Sequence, residues 1–81
     1  MPATIDRRVA DRLIGRNIRF QRLRRCLTQK QLAGTIEVTY QQLQKYERAA
    51  NRISASRLLC IAQALAFPIS VFFDDPGSPE R

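Results

Sequence analysis

The stretch that decides the fold is TQKQLAGTIEVTYQQLQKYER, residues 28–48. It reads as two short helices joined by a tight turn. The first runs from about residue 29 to 36 and sets Leu32, Ala33 and Ile36 on one side, at i, i+1, i+4. The second starts near Thr39 and buries Leu43, with Tyr46 three residues on, among polar neighbours. Thr28 and Thr39 each precede a helical run, where a hydroxyl accepts a bond from an amide that lacks an intrahelical partner. Gln31 and Gln42 stand three residues after them, so both starts fit a capping box. Neither helix can hide its apolar stripe alone. The pair must therefore pack across each other, leaving Thr39-Tyr40-Gln41 protruding.

Working outward, a helix is expected from about residue 5 or 6 to 25, with Asp6 at its favourable positive end. At 100° per residue its apolar side chains form two nearly opposite stripes, Ile14 with Ile18, and Val9, Leu13, Phe20 and Leu23. The first is assigned to the helical pair; the second should meet the C-terminal helix, a dimer partner, or both. On the other side, AANR (residues 49–52) is a polar loop, and Ser54 is placed to cap a fourth helix that runs to about Ala66 through Leu58, Leu59, Ile61, Ala62 and Leu65. Pro68 disfavours helix at Phe67. A last short helix spans about residues 69–73 and contributes Ile69 and Phe72, with Phe73 left open. The expected fold class is all-α, a compact five-helix domain. Its divisions are an extension of the first helix (1–13), the domain proper (14–73) and a mobile tail (74–81) rich in Pro and acid, with residues 1–4 loose.

Length allows one domain with a modest core, and no apolar run approaches a membrane span. The N-terminus lacks the apolar centre of a signal peptide, so a cytoplasmic location is expected. Two cysteines, Cys26 and Cys60, and no histidine exclude the usual zinc patterns and argue against a disulfide framework; both cysteines are expected as small buried hydrophobes. Charge is uneven. Residues 1–60 hold 13 basic side chains against four acidic ones, a balance of +9, and the remaining 21 residues carry −2. Twelve of the fourteen cations are arginine, whose planar fork suits phosphate and guanine edges. A surface of that sign beside paired helices points to nucleic acid. Without histidine, a carboxylate pair in a cleft, a glycine-rich phosphate loop or a cysteine dyad, the usual catalytic constellations are missing, so no enzyme, cofactor, metal or small-molecule site is expected.

Taken together, the ordered set LTQKQLA, VTYQQLQKYER, NRIS and ALAFPISVFF resembles the Cro/C1-type (XRE) helix-turn-helix family of phage and bacterial regulators, from about residue 14 to 73. The resemblance implies a lambda-repressor-like domain whose second motif helix enters the DNA major groove. It makes Thr39, Tyr40, Gln41, Gln44 and Lys45 the expected base readers. Their chemistry suits that role, since Gln41 can present donor and acceptor to adenine, Lys45 can donate to guanine, and Thr39 or Tyr40 can touch a thymine methyl or a phosphate. Gln29, at the start of the preceding helix, and Arg48, Asn51 and Arg52 on the other flank are the expected phosphate contacts, with Arg16, Arg19 and Arg24 supplying diffuse field. Similar repressors join an arginine and a glutamate at the positions of Arg22 and Glu47 in a partly buried salt bridge. The chain departs from the family at Cys26, Glu37, Ala49 and Ala66, where glycine is frequent. Either Glu37 takes a positive φ, or Gly34 lets the preceding helix end differently.

The function these residues imply is sequence-specific binding of double-stranded operator DNA by a transcriptional regulator, a repressor acting as a homodimer on a near-palindromic site. The dimer contact is expected from the second stripe with Ile69, Val71, Phe72 and Phe73. Eighty-one residues leave no room for an effector domain, so a relieving signal would arrive through a partner, proteolysis or concentration. The resemblance implies a nearby alternative, an antitoxin or a restriction-modification controller, which shares the fold and regulates its own operon. A protein-protein adaptor that never reads DNA is the alternative of a different class.

Overall fold

A computed structural model of the chain describes residues 6–74. Four α-helices follow one another, α1 (Arg7–Arg24), α2 (Gln29–Thr35), α3 (Tyr40–Glu47) and α4 (Ala55–Leu65). The expected fifth helix is a single 3-10 turn, Ile69–Phe73, because Pro68 fixes an extended backbone immediately before it and five residues allow little beyond one turn. No strand occurs among the described residues. Each α-helix starts on a short polar side chain: the carboxylate of Asp6 accepts from the amide of Arg8, and the hydroxyls of Thr28, Thr39 and Ser54 accept from the amides of Gln31, Gln42 and Arg57. At Thr28 the box closes both ways, its amide donating to Gln31 Oε1 at 2.8 Å. At Thr39 only the hydroxyl half forms, which leaves the Gln42 side chain out of the expected box.

The helix ends are more unusual. All four finish with a residue in the left-handed region, and none of the four is glycine: Cys26 (φ 57°), Glu37 (61°), Ala49 (60°) and Ala66 (59°). These are the positions where the family resemblance would have put glycine. In each case the next amide reaches back five residues, Leu27 to the Arg22 carbonyl (3.2 Å), Val38 to Ala33 (3.0 Å), Ala50 to Lys45 (2.9 Å) and Phe67 to Ala62 (3.1 Å). That bond, with the shorter one inside it, is the Schellman closure, which satisfies carbonyls the helix leaves unpaired. Gly34 therefore does not divert the turn; it lies within α2, and Glu37 takes the left-handed conformation itself. A side chain there costs roughly 1–2 kcal/mol. Glu37→Gly should accordingly raise stability by about 1 kcal/mol, or about 4–8 °C in Tm for a domain of this size. An unchanged or lower Tm in a thermal melt would mean that the Glu37 side chain has a compensating contact.

The core is built from Ile18 of α1, Leu32 and Ala33 of α2 with Ile36 behind them, Leu43 of α3, Leu58, Ile61, Ala62 and Leu65 of α4, and Phe72 of the 3-10 turn. Ile14 packs against its edge, as its stripe requires. Several expectations fail at the surface. Cys26 and Cys60 are exposed, the first because it occupies the helix-ending position and the second because it lies on the outer side of α4. Leu59 is also exposed, since α4 buries Leu58, Ile61, Ala62 and Leu65, a stripe to which Leu59 does not belong. Phe73 is exposed while its neighbour Phe72 is fully buried, the two falling on different sides of the 3-10 turn. Of the second stripe of α1, Leu13 is half-buried and Val9, Phe20 and Leu23 remain about half exposed. α1 is joined to the turn both through the core that Ile18 and Phe72 share and by the buried Asn17 amide, which donates to the carbonyls of Phe72 (2.9 Å) and Asp74. The expected tail beyond Asp74 and the first five residues lie outside the described residues.

Candidate nucleic-acid interface

One hydrogen-bonded cluster fixes the helical pair against α1. The Arg22 guanidinium meets Glu47 in a fork, Nε to Oε2 at 2.7 Å and Nη2 to Oε1 at 3.1 Å. Its third nitrogen donates to the Leu27 carbonyl at 2.8 Å, and Gln29 Nε2 donates to Glu47 Oε1 at 3.0 Å. The two ionic side chains are 7% and 2% exposed. The cluster thus ties the end of α1, the start of α2 and the end of α3 into one rigid corner. No buried side-chain polar atom among the described residues lacks a partner, which is the condition under which such a pair is tolerated at all.

Backbone contact fixes the same crossing. Gly15 of α1 lies so close to the end of α3 that a Cβ on it would sit 2.6 Å from the Tyr46 carbonyl oxygen and 2.7 Å from that of Glu47. Sequence reasoning passed over this residue, although a lone glycine inside a helical pattern is a sign of close packing. Asn17 was passed over too; a polar amide one residue from Ile18 on a helix of this pattern has no comparably distinctive signature.

Held by that corner, α3 presents its start and one side outward. Thr39, Tyr40, Gln41, Lys45 and Arg48 are exposed and Gln44 is half-buried. Gln41, Lys45 and Arg48 follow one another at i, i+4 and i+7, forming a row about one turn apart. No side-chain bond engages any of the three within the described residues, so their donors and acceptors face solvent. Thr39 differs. Its oxygen already accepts from the Gln42 amide at 3.1 Å, leaving the hydroxyl proton and the methyl for other contacts. Tyr40 is braced from α2, with the Lys30 ammonium 5.1 Å from the ring centroid.

Of the residues expected at phosphates, Gln29 is half-buried and uses one N–H on Glu47, which leaves a second N–H at the start of α2. Arg48 and Asn51 are exposed. Arg52 is exposed but lies 3.5 Å from Asp11 of α1, an ion pair loose enough for a stronger anion to compete with. Several arginines are committed to contacts within the fold. Arg25 donates to the carbonyls of Leu65 (2.7 Å) and Ala66 (3.2 Å) while stacking 4.2 Å from the Phe67 ring, and Arg57 donates to the Ile36 carbonyl at 2.7 Å. Two guanidiniums thus cap helix ends, where unpaired carbonyls and the dipole favour a cation, and Arg22 reaches the Leu27 carbonyl in the turn between α1 and α2. The arginine excess therefore serves the fold as well as the field.

A family model described as Helix-turn-helix matches residues 18–72. The chain is 49% identical over 77 residues to an uncharacterized transcriptional regulator in the ATPase CF(0) region of Rhodospirillum rubrum, covering 93% of this chain and 71% of that protein. It is 53% identical over 64 residues to an uncharacterized HTH-type transcriptional regulator of Rickettsia conorii, covering 79% of this chain and 51% of the relative, about half its length. Among solved structures, a hypothetical transcription factor, NHTF, from Neisseria superposes with a TM-score of 0.78 at 21% identity, covering 94% of this chain and 88% of the other. The restriction-modification controller protein C.AhdI from Aeromonas hydrophila gives 0.73 at 24% identity, covering 76% and 94%. At those identities the two structures speak for the fold.

Proposed function

Because the chain belongs to the Cro/C1-type (XRE) helix-turn-helix family, we propose that it is a sequence-specific DNA-binding transcriptional regulator of the cytoplasm, a repressor that holds a near-palindromic operator as a homodimer. The observation that carries this reading is the outward row on α3. Among the described residues Gln41 and Lys45 have no side-chain partner, on a helix whose own packing is fixed by Gly15 and the Arg22–Glu47 fork. A rigid helix with free donors and acceptors suits major-groove readout, where an amide addresses adenine and an ammonium addresses guanine. Tyr40 and Thr39 at its start, with Gln44 at the edge of the face, complete the reading set. The spare N–H of Gln29, with Arg48, Asn51 and Arg52, holds the phosphates.

A homodimer follows from the smallness of the reading surface: two half-sites one helical turn apart multiply its few contacts. Phe72 is buried and takes no part in a dimer contact. Phe73, with Ile69 and Val71 beside it, is the apolar surface available at the C-terminal turn.

The test is selection from a random duplex pool, then titration of the enriched site against scrambled DNA at two salt concentrations. The expected result is a near-palindrome bound at least about a thousandfold tighter than scrambled DNA, with a salt slope that falls by about 0.9 when Arg48 is replaced by alanine. Equal, weak affinity for every sequence that vanishes with salt would overturn the reading in favour of a protein-protein adaptor.

A further inference from the structure

The outer side of α1 carries a feature that DNA binding does not use. Val9, Leu13, Arg16, Phe20 and Leu23 follow one another at spacings of four, three, four and three residues, the a/d seam of a coiled coil. Val9, Phe20 and Leu23 are 45%, 45% and 47% exposed, with the Arg24 guanidinium 5.9 Å from the Phe20 ring centroid at the edge of the line. The seam is a narrow line rather than the broad apolar face of a membrane-surface helix. Its first two turns form a groove of about 350 Å³ lined by Val9, Arg12, Leu13 and Arg16, a hole into which a side chain can fit. It also points away from α3, because Gly15, Ile18 and Arg22, the residues of α1 turned toward that helix, lie on the opposite side.

Charge decides the occupant. Arg16 sits within the seam, Arg12 and Arg19 flank one side and Arg24 the other, all exposed. The one acidic residue of α1, Asp11, faces Arg52 elsewhere. The seam is symmetric about Arg16, with two apolar residues before and two after. A second copy crossing on a two-fold axis would therefore set Arg16 against Arg16, between flanks that are also cationic. From this charge and spacing we infer that the outer face of α1 docks an acidic amphipathic helix of a partner protein, with leucine-like residues in its own seam and a carboxylate opposite Arg16.

The inference is tested by titrating the nitrogen-15-labelled full chain with a synthetic three-heptad peptide, leucine in its seam except for one central glutamate, and glutamate on both flanks. Amide shifts should map to the outer side of α1, and a peptide with serine for leucine should bind at least tenfold more weakly. The double variant Phe20→Ser, Leu23→Ser keeps every arginine and should also lose at least tenfold. Arg16→Glu, which removes no apolar group, should weaken the acidic peptide and favour one with lysine for the central glutamate. Shifts on α2 and α3, or binding that ignores the seam leucines, would overturn the docking site. So would binding of phosphatidylglycerol vesicles in place of the peptide, or a dimer that the double variant turns into a monomer.

Discussion

Glu47→Ala should lower the stability of the folded chain by about 3–5 kcal/mol, enough to leave it largely unfolded near physiological temperature. The reason lies in what remains. Removing the carboxylate strands the Arg22 guanidinium, 7% exposed, with the Leu27 carbonyl as its one acceptor, and deprives Gln29 of its partner. The penalty is that of a buried cation without a counter-charge, not the modest net worth of an ion pair. Two comparisons separate these. Gln41→Ala, on the exposed side of α3, should stay within about 0.5 kcal/mol of the parent. The double variant Arg22→Met, Glu47→Leu should recover much of the loss, because no charge is then left buried. Urea or thermal denaturation reads all three, and equal midpoints for Glu47→Ala and Gln41→Ala would refute the account.

That fork also shows where sequence reasoning succeeds. Glu47 is one of two acidic residues between Arg12 and Phe73, and an acid so isolated in a basic chain points to a structural partner. The caps were legible for a similar reason: Thr28, Thr39 and Ser54 combine a hydroxyl with a following amphipathic run, a local signal that needs no tertiary context. What was hidden depends on distance in space. Whether Glu37 would take a positive φ could not be read from a residue type that disfavours it, since the Schellman bond from Val38 to Ala33 is a property of the finished turn. Cys60 and Leu59 looked apolar and came out exposed, because α4 needs four inward positions and the sequence offers more apolar residues than that. Arginine count misled in the same way. Arg25 and Arg57 enter the sequence only as part of the basic excess, but the carbonyls they reach belong to residues 40 and 21 positions away.

Gly15→Ala is the smallest substitution with a large expected effect. In an isolated helix it would stabilise by about 0.5–1 kcal/mol, since alanine loses less backbone freedom than glycine. Here the added methyl would lie 2.6 Å and 2.7 Å from two carbonyl oxygens and 3.1 Å from the Glu47 carbonyl carbon. All three are backbone atoms, so no rotamer change relieves them, and α1 must move off the end of α3. That movement loosens Ile18 against Leu43 in the core and stretches the fork between Arg22 and Glu47, whose shorter bond is 2.7 Å. Overpacking of this kind costs about 1–3 kcal/mol, and the strained ion pair adds to it, so the net effect is destabilising despite the helix preference. Gly34→Ala is the matched control: the same change in a helix, with nothing within 4 Å of the new methyl, should be neutral or stabilise by up to about 1 kcal/mol. The two variants, melted side by side, should move in opposite directions. If Gly15→Ala melts at or above the parent, the close crossing of α1 and α3 is not what holds the reading helix in place. The rigidity assigned to that corner would then rest on the Arg22–Glu47 fork alone.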